Sequence, residues 1–293
     1  MAQAFVASID GPDGPAAAVV RDNVAQRIPG ARSVRAMLGD WDRWLSRIES
    51  EQLDEPVALE DCTLLPPVVD PPNIYMAGAN YTDHYREMHG LADDEPVPRH
   101  PAGPFFFLKP TTSMIGHRAP VVIGEGVTRL DWEVELAVVI GRRADRVSES
   151  SALDHVAGYT IVNDISARDM FRREGAEPPF TFDWFRQKGW ATSCPTGPWL
   201  LPARDCRAPG DLALSLRLGD TVMQDSSTAA MVFSIEELIA HLSRVVPLVP
   251  GDLIATGTCG GVGVARGRFL APGDVMRAEV EGIGVLENPV EEA

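Results

Sequence analysis

A chain of 293 residues, 45% of them hydrophobic and 23% charged, can bury a sizeable core and is not a disordered polymer. Its formal net charge of −16, offset by no cluster of Lys or Arg, sets nucleic acid and anionic membrane surfaces aside as partners, and a small anionic substrate needs a local cation to receive it. The scattered cysteines (Cys62, Cys194, Cys206, Cys259) form no C-x-x-C pair, the N-terminus lacks a signal-peptide pattern, and no apolar run approaches the roughly 20 residues that span a bilayer, so a soluble, cytoplasmic protein is expected.

In chain order, residues 1–65 read as a small N-terminal α+β domain. A strand is expected at 16–20. "SVRAMLGDWDRWLSRIES" then sets Val34, Met37 and Leu38, and later Trp41, Trp44, Leu45 and Ile48, at helical spacing, with Asp40 placed to cap the second helix. The prolines of "LLPPVVDPPN" (64–73) forbid a helix and read as a stiff extended linker, which puts a domain boundary there. From 66 to 293 strand signals dominate, at 74–79, 105–108, 132–140, 159–162, 212–218, 253–256 and 275–280, separated by Gly, Pro and Asp turns. One helix interrupts them. Ser234 and Glu237 form a capping box ahead of Ile235, Leu238, Ile239, Leu242 and Val245, and Pro247 stops it. The fold class is α+β and rich in strand.

The stretch "LDWEVELAVVIG" (130–141) raises the first chemical question. Its apolar half reads as a buried strand, yet Asp131, Glu133 and Glu135 alternate where that strand begins, which would aim them at one face. Like charges so close oppose burial and raise each other's pKa. A second apolar strand, in "GYTIVNDISARD", runs directly into Asp164. Glu133, Glu135 and Asp164 together suit a hard cation with oxygen ligands, Mg²⁺ or Mn²⁺ with Ca²⁺ also possible, and such an ion would neutralise the repulsion. Three protein ligands would leave coordination positions for water and substrate.

Three further stretches carry chemistry. In "GANYTDHYREMHG" (78–90), His84 and Glu87 share one face of a short helix, the arrangement of an oriented general base. The other histidines have no comparable partner. "FRQKGWATSCPTGPW" (185–199) contributes Lys188, a compact cation suited to a developing oxyanion. "ATGTCGGVGVARG" (255–267) lacks the phosphate-loop pattern. It reads either as a glycine-dependent turn or as a loop whose N–H groups and Thr258 hydroxyl hold a substrate carboxylate.

Taken in order, "NYTDHYREM", "FFFLKPTTSMIG", "LDWEVELAVVIG", "GYTIVNDISARD", "KGWATSCPTGPW", "LVPGDLIATGTCGGVG" and "APGDVMRAEVEGIGVLEN" resemble the fumarylacetoacetate hydrolase family, its bacterial acylpyruvase-like and 2-hydroxyhepta-2,4-diene-1,7-dioate isomerase-like members in particular. The resemblance covers residues 66–293 and implies a mixed β-sandwich roll, usually in a homodimer. It implies a divalent cation on Glu133, Glu135 and Asp164, and a water-activating pair, His84 and Glu87, on a mobile segment. It gives Lys188 the role of stabilising an enolate, and places Arg168, Gly257 and Thr258 in contact with a small anionic 2-keto acid.

The reaction expected is hydrolysis of a carbon–carbon bond in a β-diketone acid such as an acylpyruvate. Decarboxylation, isomerisation and hydration are alternatives on the same scaffold, and a non-catalytic ligand-binding relic is an alternative of another class. Four departures bear on the substrate pocket: Phe171 in place of a glutamine, Cys259 in place of a proline, Ala191 in place of an aspartate, and an insertion at 173–184.

Overall fold

The computed structural model describes residues 3–50 and 53–293. At its centre lies the strand Val134–Ile140, every residue of which is buried. Such a continuous apolar run belongs to a strand covered on both faces. Alternation assigns the faces. Val134, Leu136, Val138 and Ile140 pack with Leu214, Leu216, Met276 and Ala278, whereas Ala137 and Val139 pack with Val34, Leu38, Trp41 and Leu45.

The surrounding sheet has 12 strands and is mixed. Its path runs from Val57–Ala58 through Val24–Arg27, Ala16–Arg21, Phe5–Ile9, Cys194–Pro202, Val156–Asn163, Val134–Ile140, Leu253–Ala255 and Ile74–Gly78 to Phe105–Lys109. Neighbours are antiparallel except where Leu253–Ala255 meets Ile74–Gly78, and where Met114–Ile115 joins Cys194–Pro202 from off the path. A second sheet of five strands covers one face: Thr221–Ser227, Ala213–Leu218, Val275–Val280, Gly284–Glu292 and Val121–Ile123. Two helices, Val34–Leu38 and Trp41–Ser50, cover the other.

Residues before the proline-rich stretch extend the large sheet: Val6 pairs with Leu200, and the Trp41 indole donates to the Ala157 carbonyl at 2.9 Å. The expected strand at 16–20 is present, and the helical pattern around 34–48 divides at Gly39, as expected. Ser33 caps the first half, its hydroxyl accepting from Ala36 N–H at 3.1 Å. The helix Ile235–Val245 carries the full capping box of Ser234 and Glu237.

Two differences matter. The strand expected from 132 begins at Val134, because its would-be first residues spend their N–H groups on side chains. Trp132 donates to the Asp131 carboxylate at 2.8 Å and Glu133 to the Asn163 amide oxygen at 2.9 Å. Asp131 thereby leaves the alternation and joins a separate two-stranded ladder with Ser166–Ala167. The second difference is the central strand Cys194–Pro202, whose Pro195, Pro198 and Pro202 argue against a strand in sequence. Its pairing with Val156–Asn163 is interrupted by a register shift between Tyr159 and Ile161, beside Gly197 at φ +145°.

Candidate metal centre and its cavity

The register of the two central strands places the carboxylates. Val134 lies opposite Asn163 and Glu135 opposite Val162, so Glu133 and Asp164 sit just past the last pair, joined by an Asp164 N–H to Glu133 carbonyl bond of 2.8 Å. Glu133, Glu135 and Asp164 are all buried, and each offers an oxygen such that these atoms lie within 4.8 Å of one another.

Cations surround two of the three. The Lys188 ammonium donates to Glu133 Oε2 at 2.7 Å and to Asp164 Oδ2 at 2.6 Å. Lys109 Nζ donates to Asp164 Oδ1 at 2.7 Å. Arg168 bridges Glu133 Oε1 at 2.5 Å and Asp131 Oδ2 at 2.8 Å. Burial works against ionising Glu133, but Lys188 and Arg168 outweigh it and hold this carboxyl well below the usual carboxylate range. Burial likewise opposes the charged Lys188, yet Asp164 and Glu133 raise its pKa above the ordinary lysine value.

Glu135 is different. Among the described residues no cation lies within ion-pair distance of it, and its Oε2 accepts the Gly257 N–H at 2.8 Å. Burial first, then Asp164 and Glu133, push its carboxyl well above the usual range. The cluster therefore holds four carboxylates (Asp131, Glu133, Glu135, Asp164) against three cations (Lys109, Arg168, Lys188) in a nearly water-free setting. A divalent cation on Glu133, Glu135 and Asp164 reverses that imbalance by one charge, which a monoanionic ligand then cancels. Oxygen-only donors fit Mg²⁺, Mn²⁺ or Ca²⁺ better than a thiophilic ion.

The cluster opens into a cavity of about 390 Å³ that His84, Lys188, Arg168 and Thr258 also line. His84 and Glu87 stand on one face of the helix Thr82–His89, none of whose residues is buried. The His84 Nδ1 lies 4.0 Å from Glu87 Oε2 and has no hydrogen-bond partner. Glu87 Oε2 instead accepts the Gly261 N–H at 2.8 Å. Burial would raise the Glu87 pKa, but His84 and the Gly261 N–H outweigh it, and the value is lowered. A second clasp joins the helix to the small sheet, the Ser226 hydroxyl donating to Asp83 Oδ2 at 2.6 Å.

The glycine loop makes its polar contacts to the protein itself. Gly257, whose N–H donates to Glu135 Oε2, has φ +97°, and a Cβ there would stand 2.9 Å from the Asn80 Cβ. The Thr258 hydroxyl donates to the Val134 carbonyl at 2.9 Å and accepts from Gln224 Nε2 at 2.9 Å. Asp131 fastens the loop's far end, accepting the Gly263 and Val264 N–H groups at 2.6 and 3.0 Å. Arg168 reaches the cavity, its guanidinium donating to two carboxylates. Phe171 lines the same cavity, whereas Cys259, within the loop, is buried and does not line it.

Several residues here escape a reading of motifs. Lys109 is the clearest, and its signal was composition: lysine occurs at two positions in the whole chain, and both ammonium groups hold Asp164. On the helix Trp184–Lys188, the i, i+3, i+4 spacing turns Trp184, Gln187 and Lys188 toward the cavity together. Gln187 is buried and its amide oxygen has no partner.

The chain belongs to the fumarylacetoacetate hydrolase family: residues 73–291 match its C-terminal domain, FAA hydrolase C-terminal. A mitochondrial oxaloacetate tautomerase of Xenopus laevis is 39% identical over 230 residues, which is 78% of this chain and 68% of that protein. The crystal structure of a 2-hydroxyhepta-2,4-diene-1,7-dioate isomerase from Mycobacterium marinum is 32% identical and covers 99% of each chain at a TM-score of 0.77. A maleylpyruvate hydrolase from Sphingobium sp. SYK-6, in complex with manganese(II) and pyruvate, is 27% identical and covers 99% of each chain at a TM-score of 0.79. No helix among the described residues is long and apolar enough to cross a membrane.

Proposed function

We propose that this chain is a divalent-metal-dependent hydrolase that cleaves a carbon–carbon bond of a β-diketone acid of the acylpyruvate type, releasing an enolate. The observation that carries the reading is one cavity lined by a cation-deficient carboxylate trio, a lysine ammonium and a carboxylate-backed imidazole. Glu133, Glu135 and Asp164 would hold the cation, which would supply Lewis acidity toward a 2-oxo acid.

The protein's own groups do the rest. With a proton on His84 Nδ1 shared toward Glu87, Nε2 keeps a lone pair to take a proton from water. The separation of 4.0 Å between His84 and Glu87 must shorten to hydrogen-bond reach for this, as apo geometries commonly do. Water so activated attacks the distal carbonyl, and the bond between that carbon and the pyruvoyl methylene breaks. The electron pair passes to the pyruvoyl fragment as an enolate, beside the Lys188 ammonium. Protonation of that enolate carbon gives pyruvate, and the attacked carbon leaves as a carboxylic acid.

A second reading is favoured by the name of the relative at 39% identity: proton transfer at the carbon next to the keto group, without cleavage. The two separate in labelled water. An acylpyruvate with Mn²⁺ in H₂¹⁸O should give pyruvate and an acid carrying ¹⁸O. Solvent exchange next to the keto group of oxaloacetate, with acylpyruvates left intact, would overturn hydrolysis in favour of tautomerisation.

A further inference from the structure

The wall of the cavity farthest in chemistry from the carboxylates is aromatic. Trp184 opens the short helix that also bears Lys188, with Asp183 capping it through a 2.9 Å bond from Arg186 N–H. Its ring lies 5.0 Å from Phe171 and 5.3 Å from both Phe105 and Phe107. Phe182 stacks on the other side of Phe171 at 4.8 Å. These rings come from the edge strand Phe105–Lys109 and from the segment 171–184, which an Asp183 N–H to Phe171 carbonyl bond of 2.8 Å closes on itself and which meets that strand through Trp184. The inserted stretch thus becomes part of the substrate wall.

That wall is not sealed. Trp184 stays 39% exposed and Met88, on the rim, 47%. Apolar surface left open beside a charged centre gains by covering, about 25 cal/mol for each Å² removed from water. The cations beside it lie against rings, Arg172 with its guanidinium 5.4 Å from the Phe182 ring centroid. Among the described residues, Arg129 is the one Arg or Lys of the cavity without a carboxylate partner, and it is exposed, with its guanidinium 4.8 Å from the Phe269 ring centroid. A second carboxylate reaching into the wall would meet aromatic faces, which carry negative potential, and would lose water with little beyond an indole N–H and the exposed Arg129 guanidinium to replace it.

We infer that the acyl end of the substrate is apolar and flat, an aryl or comparable ring stacked against Trp184 and Phe171, rather than a carboxylate-bearing chain. This rests on the 2-oxo acid reading of the centre but not on which bond is broken. The ligand is then polar at its pyruvoyl head and apolar at its tail, matching a cavity lined by both charged groups and rings. Trp184 and Phe171 act as specificity-determining residues.

Binding tests this without turnover. Calorimetry with Mn²⁺ present should show 2-oxo-4-phenylbutanoate binding at least tenfold more tightly than 2-oxoglutarate, a difference of about 1.4 kcal/mol. Trp184→Ala should shrink that ratio toward unity, while Trp184→Phe should keep most of it. Among cleavable compounds, benzoylpyruvate should exceed maleylpyruvate in kcat/KM by a similar factor. If neither compound is cleaved but the phenyl acid still binds better, hydrolysis falls and the apolar tail site stands. Equal binding of the two oxo acids, or tighter binding of 2-oxoglutarate, overturns the inference and gives the tail to Arg129.

Discussion

The carboxylate cluster and the helix Thr82–His89 face each other across one cavity and are built on opposite terms. Glu133, Glu135 and Asp164 ride on the ends of strands whose other residues are core, and ammonium, guanidinium and backbone N–H groups fix their oxygens. The helix that carries His84 and Glu87 buries none of its residues and is held by two polar clasps, Asp83 to Ser226 and Glu87 to Gly261. Buried charge is costly unless every oxygen has a partner, so the first region must be rigid to exist at all. A surface helix meets no such demand. Damage to the two regions should therefore look different: altered cation affinity and stability on one side, altered turnover alone on the other.

The largest effect is expected at Glu135. Glu135→Gln should lower activity on the order of 10³-fold or more, since an oxygen ligand and its charge are lost together. Without added metal the same variant should be at least as stable as the parent at neutral pH. A carboxyl whose folded pKa is raised adds stability that is full below its unfolded value and is lost as pH rises from there through the folded value. Thermal melts with and without Mn²⁺ decide the matter. A variant still stabilised by Mn²⁺ as strongly as the parent removes Glu135 from the ligand set.

Across the cavity, His84→Ala should cost on the order of 10²–10⁴-fold in kcat, the usual loss for a general base. Manganese affinity by calorimetry should hardly change, because the imidazole is not a ligand. Near-normal turnover would return His84 and Glu87 to the status of surface residues and erase the contrast between the two regions.

How much of this was legible beforehand depends on the range over which each residue acts. The H-x-x-E pair and the Ser234–Glu237 capping box are local patterns, and both lie on helices as their spacing implies. Glu133, Glu135 and Asp164 could be grouped because each interrupts an apolar strand, an anomaly visible in one dimension. Asp131 shares the alternation, but a local bond from Trp132 and two from Gly263 and Val264, more than 130 residues away, take it out, and no period reveals those. The strand Cys194–Pro202 was hidden because its prolines obey tertiary context over propensity. The partnership of Lys109 with Asp164 spans 55 residues and left only a compositional trace.

Lys109 tests the rigid side from behind. Both members of its pair with Asp164 are fully enclosed, the side chains being 0% and 1% exposed. Lys109→Met should destabilise the protein by about 3 kcal/mol, the low end for breaking a buried pair, because Lys188 remains to share the stranded charge. Saturating Mn²⁺ should restore part of the loss by supplying charge to Asp164. Urea unfolding with and without Mn²⁺ reads both quantities. A loss under about 0.5 kcal/mol would show that Lys188 alone compensates Asp164.

The smallest effect concerns how firmly the helix Thr82–His89 is docked. Its Glu87 clasp is a charged acceptor on a backbone N–H, and the lowered pKa says that the docked state prefers the ionised form. A depressed folded value contributes stability above the ordinary glutamate value of about 4.3, and that stability is lost as pH falls through the lower folded value. Partial exposure reduces what one such bond is worth to about 1 kcal/mol, roughly a fivefold change in an opening equilibrium. Hydrogen exchange of amides 82–89, corrected for intrinsic rates, should thus show protection that is flat near neutrality and falls in acid. Glu87→Gln keeps an acceptor for Gly261 but cannot titrate, so its protection should be lower near neutrality and independent of pH. The carboxylate side offers the internal control, because amides of the strand Val134–Ile140 should hold their protection over the range in which the helix loses it. If strand and helix lost protection together, the helix would be no looser than the core, and the division between a fixed floor and a movable base would fail.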